Sequence, residues 1–270
     1  MRGWVEVGDR VFWRRYQPWD VNVGVVLAER GVVVVDTRAS PRQGEELRGH
    51  VRELDRRPPR WVVNTHWHFD HTFGNGALTP AELWAHQSVP GLLAARAAEA
   101  PREDGDDTSV APPDHLVENQ ASLDLGDRLL VLRHLGRGHT DGDLVVGVPD
   151  ARVTFVGDLV EESGPPAYGD DSFPLDWPVT NARLLGVLGE GHRVVPGHGD
   201  VVDRRFVADQ RRELEAVAGT IRHLWVGEVP LADALEAGGG RWPWPPSVLA
   251  DAVARGYREL EVSAERGTGG

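Results

Sequence analysis

The sequence predicts an α+β fold in a single domain over residues 1–270, and three observations carry that expectation. Short Val-rich segments come in two blocks, one in the first third of the chain and one from Leu116 to Val160. Each block is followed by runs whose apolar residues recur at helical spacing. His and Asp side chains gather where apolar runs end, most densely in His66-Trp67-His68-Phe69-Asp70-His71 after Trp61-Val62-Val63.

Taken in order, strands are expected at Trp4 to Val7, Val11 to Arg15, Val21 to Ala28 and Val32 to Val35, with turns at Gly8-Asp9 and Arg30-Gly31. A helix follows: Ser40 is a good N-cap, Pro41 suits the first turn, and Leu47, Val51 and Leu54 share a face. Trp61 to Asn64 and Leu83 to His86 read as strands, Val89 to Ala100 as a helix, and the Pro- and Asp-rich residues 101–114 as a loop. Strands return at Leu129 to Leu132, Leu144 to Val148 and Val153 to Val156, the last closed by Asp158 after Gly157. A long loop from Glu162 to Trp177 leads to a helix at Val179 to Leu188 and a strand at Arg193 to Val195. Arg204 to Val226 is a helix with Phe206, Leu214, Val217, Ile221 and Leu224 on one face, and helices at Leu231 to Ala237 and Ser247 to Leu260 end the chain. No segment reads as a linker to a second domain.

Composition narrows the function. A hydrophobic content of 40% with 26% charged residues is that of an ordinary globular protein. The net charge of -13, with 42 acids against 29 bases, opposes a polyanion, so nucleic acid is not the expected partner. Without Cys there is no disulfide, thiol nucleophile or thiolate ligand. No apolar run is long enough to span a membrane and the first residues carry no apolar leader, so the expectation is a cytoplasmic protein acting on a small molecule.

The six residues from His66 to His71 hold three imidazoles and a carboxylate. In extended backbone, side chains two apart point the same way, so His66 and His68 can share one ion, with Asp70 if the chain stays extended. If the chain turns helical near Asp70, then Asp70 and His71 swing toward a second ion. Further His and Asp residues sit in similar places: Gly138-His139-Thr140, Asp158, and Pro196-Gly197-His198-Gly199. Clustered His and Asp at strand ends mark metal sites.

This set resembles the metallo-β-lactamase superfamily of binuclear metallohydrolases. The five motifs fall on Asp36 in Val33-Val34-Val35-Asp36-Thr37, on His66 to His71, and on His139, Asp158 and His198, across about residues 21–200. The resemblance implies a four-layer αβ/βα sandwich with the site where two sheets meet, followed by C-terminal helices at 203–264. It also implies that His66, His68 and His139 hold one metal, that Asp70, His71 and His198 hold a second, and that Asp158 bridges them. Two Zn²⁺ ions are expected from imidazole and carboxylate ligands, with Fe or Mn compatible. A hydroxide between two such cations would attack the carbonyl of a small ester, thioester, lactone or lactam, with Asp70 orienting it or taking its proton.

Around this centre, Asp36, Thr65 and Thr140 are expected to fix the ligands through hydrogen bonds. Trp67, Phe69, Tyr168, Phe173 and Trp177 are expected to line the substrate pocket, with the 162–177 loop kept out of the core, and Arg137 to anchor a substrate carboxylate. Some branches of the superfamily fit poorly. Thiol-type lactamases need Cys where Asp158 stands, and homoserine-lactone hydrolases have Tyr where Glu161 stands. Glyoxalase-II enzymes share the ligand set, but a chain without Lys lacks their glutathione-binding pattern. The rival readings are a mononuclear iron oxidoreductase of the persulfide-dioxygenase type, a β-lactamase-like lactam hydrolase, and a non-catalytic binding protein on the same scaffold.

Overall fold

Alternation along single strands is what builds the layers. A computed structural model describes residues 3–96, 98 and 110–267. Its first half contains β1 (Val5–Gly8), β2 (Val11–Tyr16), β3 (Val21–Ala28), β4 (Gly31–Val35), α1 (Pro41–Val51), β5 (Pro59–Val63), α2 (Phe69–Thr72), β6 (Glu82–His86), α3 (Val89–Arg96) and β7 (His115–Val117). In β4, Val32 and Val34 pack outward against Leu47 and Val51 of α1. Val33 and Val35 point the other way, into an apolar layer shared with the second half of the chain. The same split puts Val62 of β5 outside and Trp61 and Val63 inside. A strand apolar on both faces is what a sheet sandwiched between a helix layer and another sheet requires.

The second half contains β8 (Gln120–Asp124), β9 (Leu129–His134), β10 (Leu144–Val148), β11 (Val153–Glu161), α4 (Trp177–Val187), β12 (Arg193–His198), β13 (Val202–Asp203), α5 (Arg204–Val226), α6 (Leu231–Gly238) and α7 (Ala250–Gly267). Val146, Val153, Phe155 and Val195 face the first half's sheet. Val145, Val156 and Val194 face α4 and α5, whose Leu184, Leu214, Val217 and Ile221 complete the outer core. The order helix, sheet, sheet, helix is the expected four-layer sandwich. The strand order β7-β6-β5-β4-β3-β12-β11-β10-β9-β8 is continuous, because one pair, Val21 with His198, stitches the sheets at β3 and β12.

Local chemistry accounts for the element ends. The Ser40 side chain accepts from the Gln43 N–H and caps α1, and Asp203 caps α5 by accepting from Phe206. The helix expected to reach Ala100 is described as α3 to Arg96, and most of the expected 101–114 loop lies outside the described residues. The larger difference is in β11. Asp158 does not close this strand; pairing runs on to Glu161, through register shifts on either side of Gly157. Gly157 adopts φ +52°, a conformation that costs glycine little, and the resulting bulge re-aims the residues after it. The 162–177 segment also differs from expectation. Tyr168 and Trp177 are buried in the outer core with Leu159 and Leu184, where a large apolar area gains most by leaving water.

Candidate metal centre

Four separate chain segments deliver the cluster. The chain leaves β5 at Asn64, and α2 begins at Phe69, so the extended and helical alternatives both occur within six residues. His66 and His68 precede the helical turn, and Asp70 and His71 lie on it. A buried polar clasp holds that turn: the His71 carbonyl accepts from the Thr37 N–H (2.8 Å) and the Asn64 side chain (3.1 Å), and Asn64 and Asn75 exchange side-chain hydrogen bonds. His139 comes from the β9–β10 connection, Asp158 from the β11 bulge and His198 from the end of β12.

The ligand-type atoms of His66, His68, His139 and Asp158 all lie within 4.8 Å of one another, as do those of Asp70, His71 and His198. Asp158 stands between the groups. Its carboxylate oxygens are 3.7 Å from His66 Nε2 and 3.4 Å from His139 Nε2 on one side. On the other they are 3.2 Å from His71 Nε2 and 3.4 Å from His198 Nε2. Gly197 makes this approach possible, since a Cβ there would lie 1.8 Å from Asp158 Oδ1.

Each imidazole is oriented by its other nitrogen. His71 Nδ1 donates to Asp36 Oδ2 (2.8 Å), His139 Nδ1 to the Ala167 carbonyl (3.0 Å) and His198 Nδ1 to the Trp19 carbonyl (3.0 Å). His66 Nδ1 donates to Thr65 Oγ1 (3.1 Å), whose hydroxyl donates on to Asp36 Oδ2 (2.8 Å). His68 Nε2 meets Asp171 Oδ2 (3.1 Å) and turns its Nδ1 to within 2.8 Å of His139 Nε2. Fixing one ring nitrogen as the donor leaves the other with a lone pair, the form that binds a cation.

These lone pairs converge on two carboxylates in a buried space. His66 Nε2, His71 Nε2 and Asp158 Oδ1 are buried with no hydrogen-bond partner, although His71 and Asp158 are close. Orphaned groups of this kind cost free energy unless a cation satisfies them, so the residues fit a metal. Proton affinities carry the same signature. Burial drives His66 well below the usual imidazole range and His139 down to about 4. Burial also opposes charge on His71 and His198, but carboxylates outweigh it, Asp158 foremost, raising His71 well above that range and His198 to about 9. Burial likewise opposes charge on Asp158, and the imidazoles around it, His198 first, hold its carboxyl well below the usual range.

The family model described as the metallo-beta-lactamase superfamily matches residues 16–202. The chain belongs to this superfamily. It is 27% identical over 184 residues to the metallo-beta-lactamase type 2 of Bacillus cereus, covering 67% of this chain and 68% of that one. It is also 27% identical over 221 residues to an acyl-coenzyme A thioesterase of Bos taurus, covering 71% and 79% of the two chains. Among solved structures, the metallo-beta-lactamase from Pontibacter korlensis superposes with a TM-score of 0.69 at 22% identity, over 78% of this chain and 98% of that one. That likeness establishes the metallo-beta-lactamase fold.

Within this superfamily member, the seven residues expected as ligands stand together, and Asp36 and Thr65 form one chain of hydrogen bonds beneath His66 and His71. Thr140 acts elsewhere: its hydroxyl donates to Asp143 (2.6 Å) and tightens the turn after His139. Several residues expected to line the pocket do other work. Trp67 is buried and donates to Asp171 (2.7 Å), and Trp177 packs on His139 with ring centroids 5.6 Å apart and donates to the Leu159 carbonyl. The Tyr168 ring lies on Trp177 in the core. Arg137 pairs with Asp176 and stacks over Phe173 at 4.3 Å. Phe69 is only partly buried and meets Trp19 edge-on at 4.8 Å.

The sequence carried no signal for Trp19, Ala167 or Asp171. The first two act through backbone carbonyls, which any residue type supplies. Asp171 lies in a Gly- and Asp-rich loop that reads as an ordinary turn. Glu161 was visible only as a departure from a Tyr pattern; it is buried, accepts from the Ala167 N–H (3.0 Å), and burial followed by Asp158 raises its carboxyl to about 8.

Proposed function

We propose that the protein is a metal-dependent hydrolase of a small ester, thioester, lactone or lactam, holding two divalent cations, zinc by default. The observation that carries this reading is the inward convergence of five singly tethered imidazoles on Asp70 and Asp158, three of whose buried atoms lack any protein partner. In this assignment His66, His68 and His139 hold one ion, Asp70, His71 and His198 hold the other, and Asp158 contacts both. Bound there, the ions would lower the pKa of a water and polarise the scissile carbonyl. The chain's own part is to place and to buffer. Asp70, 3.4 Å from His198 and 3.6 Å from His71, orients the attacking water and takes its proton. Phe69 and Trp19 present apolar surface at the mouth of the site, suited to an acyl group. We also take residues 1–270 as one domain, because α5 and α7 share their core with β10–β12.

Substrates named for relatives set the order of trial: a β-lactam for the lactamases and an acyl thioester for the thioesterase. Elemental analysis beside a screen of thioesters, lactones, esters and lactams tests the reading. Two zinc ions per chain and hydrolysis that His66→Ala and His198→Ala both abolish are the expected results. One iron per chain with sulfur-oxidising activity would replace this reading with the mononuclear oxidoreductase.

A further inference from the structure

Between α7 and the segment around Phe173 lies a groove of about 230 Å³ lined by four arginines, Arg137, Arg255, Arg258 and Arg266, together with Phe173, Glu259, Val262 and Ser263. We propose that this pocket binds a phosphate group on the non-reacting part of the substrate, which makes the substrate class a phosphorylated small molecule. The inference rests on the hydrolase reading above and specifies its substrate.

The chain as a whole carries an excess of acid, yet here four guanidiniums meet only two carboxylates, Glu259 in the wall and Asp176 bound to Arg137. By contrast, Arg15, Arg57 and Arg128 each have a carboxylate partner, in Asp20, Asp55 and Asp9. Arg258 and Arg266 make no ion pair among the described residues. The uncompensated charge matches a phosphate dianion better than a single carboxylate, and planar guanidinium forks suit phosphate oxygens.

Phe173 is a platform for two of the cations, with the Arg137 and Arg255 guanidiniums 4.3 and 5.2 Å from its ring centroid. Arg255 Nε also donates to the Ser172 carbonyl (2.8 Å), which fixes its fork before any ligand arrives. Held in this way, the groups lose less freedom on binding than solvated side chains would.

The segment that carries Phe173 is tied to the metal centre at both ends of its short run. Asp171 holds His68 and Trp67, and the Phe173 N–H donates to the Gly138 carbonyl (2.8 Å), next to His139. Arg137 is two residues from His139, so their Cα atoms are at most about 7 Å apart. On this proposal, a phosphate seated in this pocket belongs to a molecule whose reacting end lies at the ligand cluster.

The test uses two probes and two variants. Calorimetry with adenosine 3′,5′-bisphosphate on purified holoprotein measures the pocket without turnover, and Arg255→Ala/Arg258→Ala should weaken binding at least about tenfold. In kinetics, the double variant should raise KM for acetyl-coenzyme A by a similar factor and leave KM for S-acetyl-N-acetylcysteamine, which lacks phosphate, unchanged. Circular dichroism and metal content of the variant should match the parent. Absence of bisphosphate binding by the parent, or equal effects of the variant on both thioesters, overturns the pocket. Failure to hydrolyse either thioester, with bisphosphate binding intact and lost in the variant, overturns the thioesterase chemistry and leaves the pocket standing.

Discussion

Replacing Asp36 with Ala tests whether the metal loop is held from below. The Asp36 carboxylate is buried and accepts three hydrogen bonds: from the Thr65 N–H (2.7 Å), the Thr65 hydroxyl (2.8 Å) and His71 Nδ1 (2.8 Å). Truncation leaves three buried donors without an acceptor, each worth about 1–3 kcal/mol. Neighbouring losses do not add fully, so a total of about 4 kcal/mol is expected. Asp36 also sits at φ +64°, where Ala adds about 1 kcal/mol of backbone strain that Asn largely avoids. Asp36→Asn, which keeps one acceptor oxygen, should therefore fall between parent and Ala. Freed from Asp36, the His71 ring loses both its orientation and its fixed tautomer, and zinc affinity should drop about 10- to 100-fold. Chemical denaturation of the metal-free proteins gives the stability difference, and competition with a chelating dye gives the affinity. An Ala variant that loses less than about 1 kcal/mol and binds zinc like the parent would refute the reasoning.

Three further outcomes are expected. Gly197→Ala would force a Cβ to within 1.8 Å of Asp158 Oδ1, so the carboxylate must move and metal content should fall while far-ultraviolet circular dichroism is kept; full metal occupancy would contradict this. Trp177→Ala removes a fully buried ring that packs on His139 and Tyr168, and should cost about 3–5 kcal/mol in a denaturant melt, whereas a change confined to KM would show a pocket role instead. Burial, with the stacked His134 ring 4.2 Å away, lowers His86 to about 4. A depressed imidazole contributes stability above its unfolded pKa of about 6.5 and loses it as pH falls through 4, so the parent should weaken more steeply than His86→Gln across that window. Parallel stability–pH curves for the two would exclude this role for His86.

Much of the fold was legible because it is written in periods. The unbroken β-branched run from Val32 to Val35 and the helical spacing in Arg204 to Val226 depend only on neighbours in the chain, and both elements stand where those patterns put them. The cluster from His66 to His71 was equally plain, since so many ligand-type groups in one short turn have few other physical uses. The end of β11 is not written in the sequence, because a glycine at positive φ can either terminate pairing or bulge within it, and only the partner strand β12 decides. The burial of the aromatics of 162–177 is illegible in the sequence for a related reason. A Pro- and Gly-rich composition marks a loop but does not say which of its rings the core will take up, and helices α4 and α5 buried Tyr168 and Trp177.

By itself, then, the sequence showed the dense run of ligand-type groups from His66 to His71, and the resemblance to the superfamily added His139, Asp158 and His198. Only the tertiary structure decided how those ligands are aimed. His198 is held by a carbonyl 179 residues away and His68 by a carboxylate 103 residues away. A backbone carbonyl has no sequence signature, and a contact across such distances exists only after the two sheets have packed.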